Sequence, residues 1–200
     1  MDRLLVATDF SPRSDRALRR ASLIARKVTA PITLVHVVDA DRPDRLIKAD
    51  RSAASDVLAE IAATLRAEDG IETDWVVQVD DVHSGILSAA DEISADLLII
   101  GPHRSRLSDA FTGTTAERLV RRSTRPLLVA IHVPAADHRN TLLALDFDEA
   151  SKSAGRQALA MGIFHHTDVV IMHAFDALGA SMMRRSLEHR AEIDEYVEAE

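Results

Sequence analysis

Short runs of aliphatic and β-branched residues alternate along this chain with longer segments whose apolar positions recur every three or four residues. Strands buried on both faces of a parallel sheet read as nearly continuous apolar runs, and their alternation with amphipathic helices predicts βαβ units. Five such strands are expected in the first 131 residues, at 3–8, 31–38, 72–78, 96–101 and 126–131. Helices fill the gaps. Ser11 followed by Pro12 offers an N-cap and first-turn pair for a helix running to about residue 28, with Ala17, Ala21 and Ile24 on its apolar face. A second helix over 53–68 places Val57, Leu58, Ile61, Ala62 and Leu65 on one stripe and ends at Gly70. A third spans 83–94. The fourth opens at Gly113–Thr114–Thr115 and closes near Arg122, where Arg121, Arg122 and Arg125 complement the negative end of the helix dipole.

The pattern then starts over. Leu5 to Asp39 aligns without a gap with Leu142 to Asp176 at a constant shift of 137 residues (142 − 5), and ten of the thirty-five pairs are identical. Asp9/Asp146, Phe10/Phe147, Ala17/Ala154, Arg19/Arg156, His36/His173 and Asp39/Asp176 are among them. Such self-similarity marks an internal repeat. The predicted organisation is a domain at 1–131, a Pro-containing polar linker at 132–140, and a partial second copy at 141–200. The partial copy is expected to supply a strand at 141–146, a helix at 149–164, a strand at 168–175 and an acidic amphipathic helix up to Glu200. Half a sheet leaves apolar faces and an unpaired edge in water, so this piece should dock on the first domain or on another chain.

Composition narrows the chemistry. Among 200 residues, 46% are hydrophobic, enough for an ordinary soluble core. No run of about 18 apolar residues exists and an acidic Asp2 follows Met1, so neither a membrane span nor a signal peptide is expected, and the cytoplasm is the expected location. The absence of cysteine excludes disulfides, thiolate metal sites and cysteine nucleophiles. A net charge of −8 with one Trp and one Tyr argues against a nucleic-acid partner, which would need a basic face and stacking platforms.

In an open parallel sheet of order 3-2-1-4-5 the ligand crevice lies at the carboxyl ends of strands one and four, where the connections diverge. Asp9 and Gly101 sit at those two ends. A carboxylate there can accept hydrogen bonds from ribose hydroxyls or an adenine edge, and the amide-rich helix start at Gly113–Thr114 can cradle phosphate. Asp9 could instead merely cap a turn, and the repeated Asp146 favours function without deciding it. His36 and His173 read as packed, hydrogen-bonded histidines, and no HExxH spacing is present, so no metal site is expected. Asp80–Asp81 invites a phosphoacceptor-domain reading, which fails because strand one carries a single Asp9 and strand five lacks a terminal Lys. Neither GxxxxGK[ST] nor GxGxxG occurs.

Ala7–Thr8–Asp9–Phe10–Ser11, Leu34–Val35–His36–Val37–Val38 and the closing Asp96–Leu97–Leu98–Ile99–Ile100–Gly101, Gly113–Thr114–Thr115–Ala116–Glu117–Arg118 and Arg125–Pro126–Leu127–Leu128–Val129–Ala130 together resemble the universal stress protein family. The resemblance covers 1–131 and the first half of a second copy. It implies an α/β, doubly wound five-stranded parallel sheet, a stress-response binding or signalling role, and in some members bound ATP or AMP, with Mg only alongside the nucleotide. Members that bind ATP carry glycine, two residues, glycine, nine residues, then glycine and Ser/Thr. Here Gly101 matches the first position, Arg104 stands at the second, and only eight residues (105–112) precede Gly113–Thr114. A guanidinium at Arg104 can replace backbone donation to phosphate or fill the cleft.

The carry-over gives Thr8, Asp9, Val37, Gly101, Arg104, Gly113, Thr114 and Thr115 as cofactor-binding residues. Asp9 and the Val37 backbone would address the adenosine; Gly101, Gly113, Thr114 and Thr115 would address phosphate, with Arg104 or Arg106 nearby. Two functions follow: a nucleotide-responsive binding module, or a nucleotide-independent scaffold of the same family with a degenerated loop. No residue is clearly placed as a general base, His103 having no visible orienting partner, so no enzymatic activity is expected. Family resemblance also implies pairing through 126–131, as a homodimer or between domains of one chain.

Overall fold

A computed structural model of the protein describes residues 1–102 and 115–174. They divide into two compact units, Met1–Asp137 with Met161–Ile163, and a second beginning at His138. In the first unit the order is β1 (Leu4–Ala7), α1 (Ser14–Val28), β2 (Ile32–Val38), α2 (Asp44–Asp69), β3 (Thr73–Val79), α3 (Val82–Glu92), β4 (Leu97–Ile100), α4 (Thr115–Arg122) and β5 (Leu127–Val129). The five strands form one parallel sheet in the order β3-β2-β1-β4-β5, as the alternating pattern predicts.

Successive side chains of a strand point to opposite faces, so each central strand feeds two cores. Leu4, Val6, Leu34 and Ile99 pack with Ala17, Ala21 and Ile24 of α1 and Leu58 of α2. Leu5, Val35, Leu98 and Ile100 pack with Ile86 and Ala89 of α3 and Ala116 and Leu119 of α4. Removing each such Val, Leu or Ile side chain from water contributes about 1.5–3 kcal/mol. The result is a stiff platform under the carboxyl ends of β1 and β4.

Several boundaries differ from the sequence expectation for physical reasons. Helix α2 begins at Asp44 rather than 53 because its first turns are nearly all exposed and show no apolar stripe to detect. Val57, assigned above to the buried stripe, is 39% exposed, while Leu58, Ala62 and Leu65 are buried. Helix α1 starts at Ser14, yet Ser11 still serves its N-terminus: its hydroxyl accepts from the Arg13 and Ser14 amides at 3.3 and 3.5 Å, and its carbonyl from Asp15 at 3.1 Å. Gly70 ends α2 with φ +65°, as expected, whereas α1 ends on Thr29 at φ +54°, where no glycine signals it.

The second unit pairs β6 (Asn140–Ala144) in parallel with β7 (Asp168–Met172) and adds α5 (Glu149–Ala160), which stops before the predicted 164. Thr141 faces Val169 just as Leu4 faces Ile32, so the register repeats at the shift of 137 (141 − 4). Burial does not repeat. Leu5 is fully buried under α3 and α4, while its counterpart Leu142 is 61% exposed, because the described residues of the second unit hold no counterparts of those helices. The predicted last helix, and the end of the 168–175 strand, lie outside the described residues.

Candidate functional site

The site begins where β1 leaves the sheet. The Thr8 amide makes its last ladder bond to the Val35 carbonyl at 2.9 Å, and the chain then turns into α1. Side-chain oxygens hold the turn: Thr8 Oγ1 accepts from the Phe10 amide at 3.0 Å and lies 3.1 Å from Ser14 Oγ, and Asp9 Oδ1 accepts from the Ser11 amide at 3.0 Å. Phe10 takes the left-handed conformation, φ +59°. From the neighbouring strand, His36 Nδ1 sits 2.9 Å from the Thr8 carbonyl oxygen, and its ring stacks on Phe10 with centroids 4.4 Å apart. A carbonyl only accepts, so Nδ1 carries the proton.

This turn forms one wall of a cleft of about 340 Å³ between the carboxyl ends of β1 and β4. Thr8, Asp9, Val37, Gly101 and Thr115 all line it, so five of the eight residues chosen from sequence converge on one cavity. The other three, Arg104, Gly113 and Thr114, lie outside the described residues, as do His103 and Arg106. Arg13 and Ser14 also line the cleft. Sequence reasoning missed both, although they stand on the turn that Asp9 begins. Gly85 was missed too. A Cβ there would come within 2.8 Å of Val37 Cγ1, so glycine lets α3 close against the strand that carries Val37.

Gly101 has a comparable role: a Cβ on it would come within 2.5 Å of the Arg13 carbonyl oxygen and 3.0 Å of the Ser14 amide nitrogen. The missing side chain allows the N-terminal end of α1 to approach the end of β4. Asp9 is exposed at the cleft rim. Burial pushes its carboxyl up, but hydrogen bonds from the Ser11 hydroxyl and amide and the Arg13 charge outweigh that, and the net value lies below the ordinary aspartate range. Asp9 is therefore an anion at neutral pH, beside a guanidinium, in a concave site with apolar walls at Val37, Ile86 and Ile100. Such a site suits a planar heterocycle bearing hydroxyl and anionic groups.

Asp81 is accounted for locally. It N-caps α3 by accepting from the Ser84 amide at 3.2 Å and pairs with His83. Among the described residues no cluster of three His, Asp or Glu could hold a metal, and no helix is long and apolar enough to cross a membrane. In the second unit, His173 Nδ1 meets the Leu145 carbonyl at 2.8 Å and its ring lies 4.8 Å from Phe147, whose φ is +60°.

Known proteins resemble this chain in sequence and fold. Sensor protein KdpD of Mycobacterium tuberculosis strain CDC 1551 is 29% identical over 123 residues, 61% of this chain, and the chain spans only 13% of that sensor's length. Stress response protein NhaX of Bacillus subtilis strain 168 is 28% identical, over 64% of this chain and 96% of NhaX. A universal stress protein structure from Burkholderia pseudomallei matches 64% of this chain and 94% of its own at 30% identity and a TM-score of 0.53. Two structures from Archaeoglobus fulgidus share the fold. One, from strain DSM 4304, covers 93% of this chain and 72% of its own at 20% identity and TM-score 0.72. The other, solved in complex with dAMP, covers 66% of this chain and 98% of its own at 24% identity and TM-score 0.52. The sequence model of the universal stress protein family matches residues 1–130, and on that match this chain belongs to the family.

Proposed function

We propose that the domain at 1–131 is a binding module that takes an adenine nucleotide, AMP or ATP, between β1 and β4, and that it is not an enzyme. The convergence of Thr8, Asp9, Val37, Gly101 and Thr115 on one cleft carries this reading. A related fold solved with dAMP supports it. The ionised Asp9 accepts hydrogen bonds from the ribose or the adenine amino group, and the Val37 main chain reads the base edge. The start of α4 at Thr115 and the Arg13 guanidinium supply positive potential for phosphate. Magnesium enters only with the nucleotide, held by its phosphates. Occupancy would bias the shape of the β1–α1 turn.

Calorimetric titration of the full chain with AMP, and with ATP and Mg²⁺, tests the proposal. Saturable binding is expected, with Asp9→Ala weakening both ligands by roughly tenfold. A wild-type protein that gives no response to millimolar nucleotide overturns it. The second reading, a nucleotide-independent scaffold, then stands, and it is favoured by one observation: the turn at Asp9 and the close approach at Gly101 each have a local structural use.

A further inference from the structure

We propose that His36 is a positioning residue for the cleft: by donating from Nδ1 to the Thr8 carbonyl and stacking on Phe10, it holds the β1–α1 turn in the shape that presents Asp9 to the ligand. The inference rests on the nucleotide reading above. Thr8 is where the sheet ladder runs out, and its carbonyl needs a donor once the chain turns away. His36 provides it at 2.9 Å from a strand that the sheet already locks alongside β1. Phe10 must adopt φ +59°, a conformation costing about 1–2 kcal/mol for a residue with a Cβ. The ring stack at 4.4 Å offsets part of that cost, and Asp9 lies between the two anchored residues.

The second unit shows that these parts belong together. His173, Phe147 and the Leu145 carbonyl repeat the histidine-to-carbonyl bond and the left-handed φ of +60° at Phe147 at the shift of 137, and keep the two rings in contact at 4.8 Å, tilted by 49° where the first pair is stacked at 20°. Leu145 replaces Thr8 there, so the histidine-to-carbonyl bond and the aromatic pair persist without the threonine hydroxyl. The histidine and the phenylalanine, with a backbone carbonyl, are thus the constant elements of the brace. What differs among the described residues is that β4 and α4 stand opposite the turn in the first unit and complete a cleft around it.

Two substitutions separate the donor from the ring. Asn carries an N–H on the atom next to Cγ, as His does at Nδ1, whereas Leu fills similar space with no donor. The full chain, wild type and as His36→Asn and His36→Leu, is titrated with AMP by calorimetry, and the Asp9 carboxyl is followed through acid pH by carbon NMR. Expected is a loss of AMP affinity of about threefold for His36→Asn, which keeps the donor and loses the stack, and of roughly tenfold or more for His36→Leu, which loses both. The Asp9 titration should move up toward the ordinary aspartate range in His36→Leu alone. Wild-type affinity and an unmoved Asp9 in His36→Leu overturn the proposal, and so does an Asn variant as weak as the Leu variant. Should His36→Leu not fold, nitrogen NMR of the wild-type imidazole decides: the proton must sit on Nδ1, and an Nε2–H tautomer overturns the assignment. A wild type that binds no nucleotide defeats the functional reading, and the Asp9 titration then judges His36 by itself.

Discussion

Gly101 and Arg13 touch through their backbones: a Cβ added to Gly101 would lie 2.5 Å from the Arg13 carbonyl oxygen. Backbone cannot rotate away as a flexible side chain can, so any residue larger than glycine must push α1 off the end of β4. Gly101→Ala should therefore destabilise the protein by about 1–3 kcal/mol, the usual cost of overpacking. Urea unfolding measures this. An alanine variant as stable as wild type would show that the contact relaxes freely. The same variant should weaken nucleotide binding, because Arg13 and Ser14 move with the helix end.

Asp9 should make stability pH-dependent at the acid end. Its carboxyl lies below the ordinary aspartate range in the folded state, so its contribution is fully present above the unfolded-state value and is lost as pH falls through the folded value. Asp9→Asn keeps an acceptor for the Ser11 amide and removes the charge. The stability advantage of wild type over this variant should be largest near neutrality and shrink through the acid range. A gap that is the same at pH 7 and pH 3 would contradict the assignment.

Thr29 ends α1 at φ +54° and is exposed, with its amide bonded to the Ala25 carbonyl. A β-branched residue is strained in that conformation, where glycine is not. Thr29→Gly should raise stability by about 0.5–1 kcal/mol, seen as a higher urea midpoint with an unchanged slope. A lower midpoint would mean that the chain entropy added by glycine exceeds the strain relieved.

The segment read from sequence as the start of a linker is fastened along α1. Arg16 Nη1 donates to the Ile131 carbonyl at 2.5 Å, the buried Arg20 reaches the Ala136 carbonyl at 3.4 Å, and Lys27 pairs with Asp137 at 2.9 Å. Burial draws the Arg20 guanidinium below its usual range and Asp137 partly restores it. Limited proteolysis should accordingly find 132–137 more protected than a free linker. Lys27→Ala should raise cleavage there by a few-fold, in keeping with the roughly 1 kcal/mol of one partly exposed ion pair. Equal cleavage of both proteins would show that the pair does not hold the segment.

Much of this was legible in the linear chain. Buried strands such as 96–101 must be apolar on both faces, so the run Leu97–Ile100 announces itself, and five such runs separated by helices leave a parallel sheet as the natural arrangement. Asp9 and Gly101 could be chosen because strand ends in such a sheet are where ligands sit, and because the motifs resemble a family. Periodicity failed where burial was absent, as over the exposed first turns of α2 and at Val57. It was silent on the parts of the site that depend on distance in space. Gly101 stands 88 residues from Arg13 (101 − 13), Gly85 is 48 from Val37 (85 − 37) and His36 is 28 from Thr8 (36 − 8), and each pair meets through the close approach of elements that only the folded sheet brings together. Local sequence carries propensity and hydrophobic period, which set elements and their order. Close packing and the need to satisfy each buried backbone group act across the fold, and they decided why a glycine, an arginine and a histidine stand at this cleft.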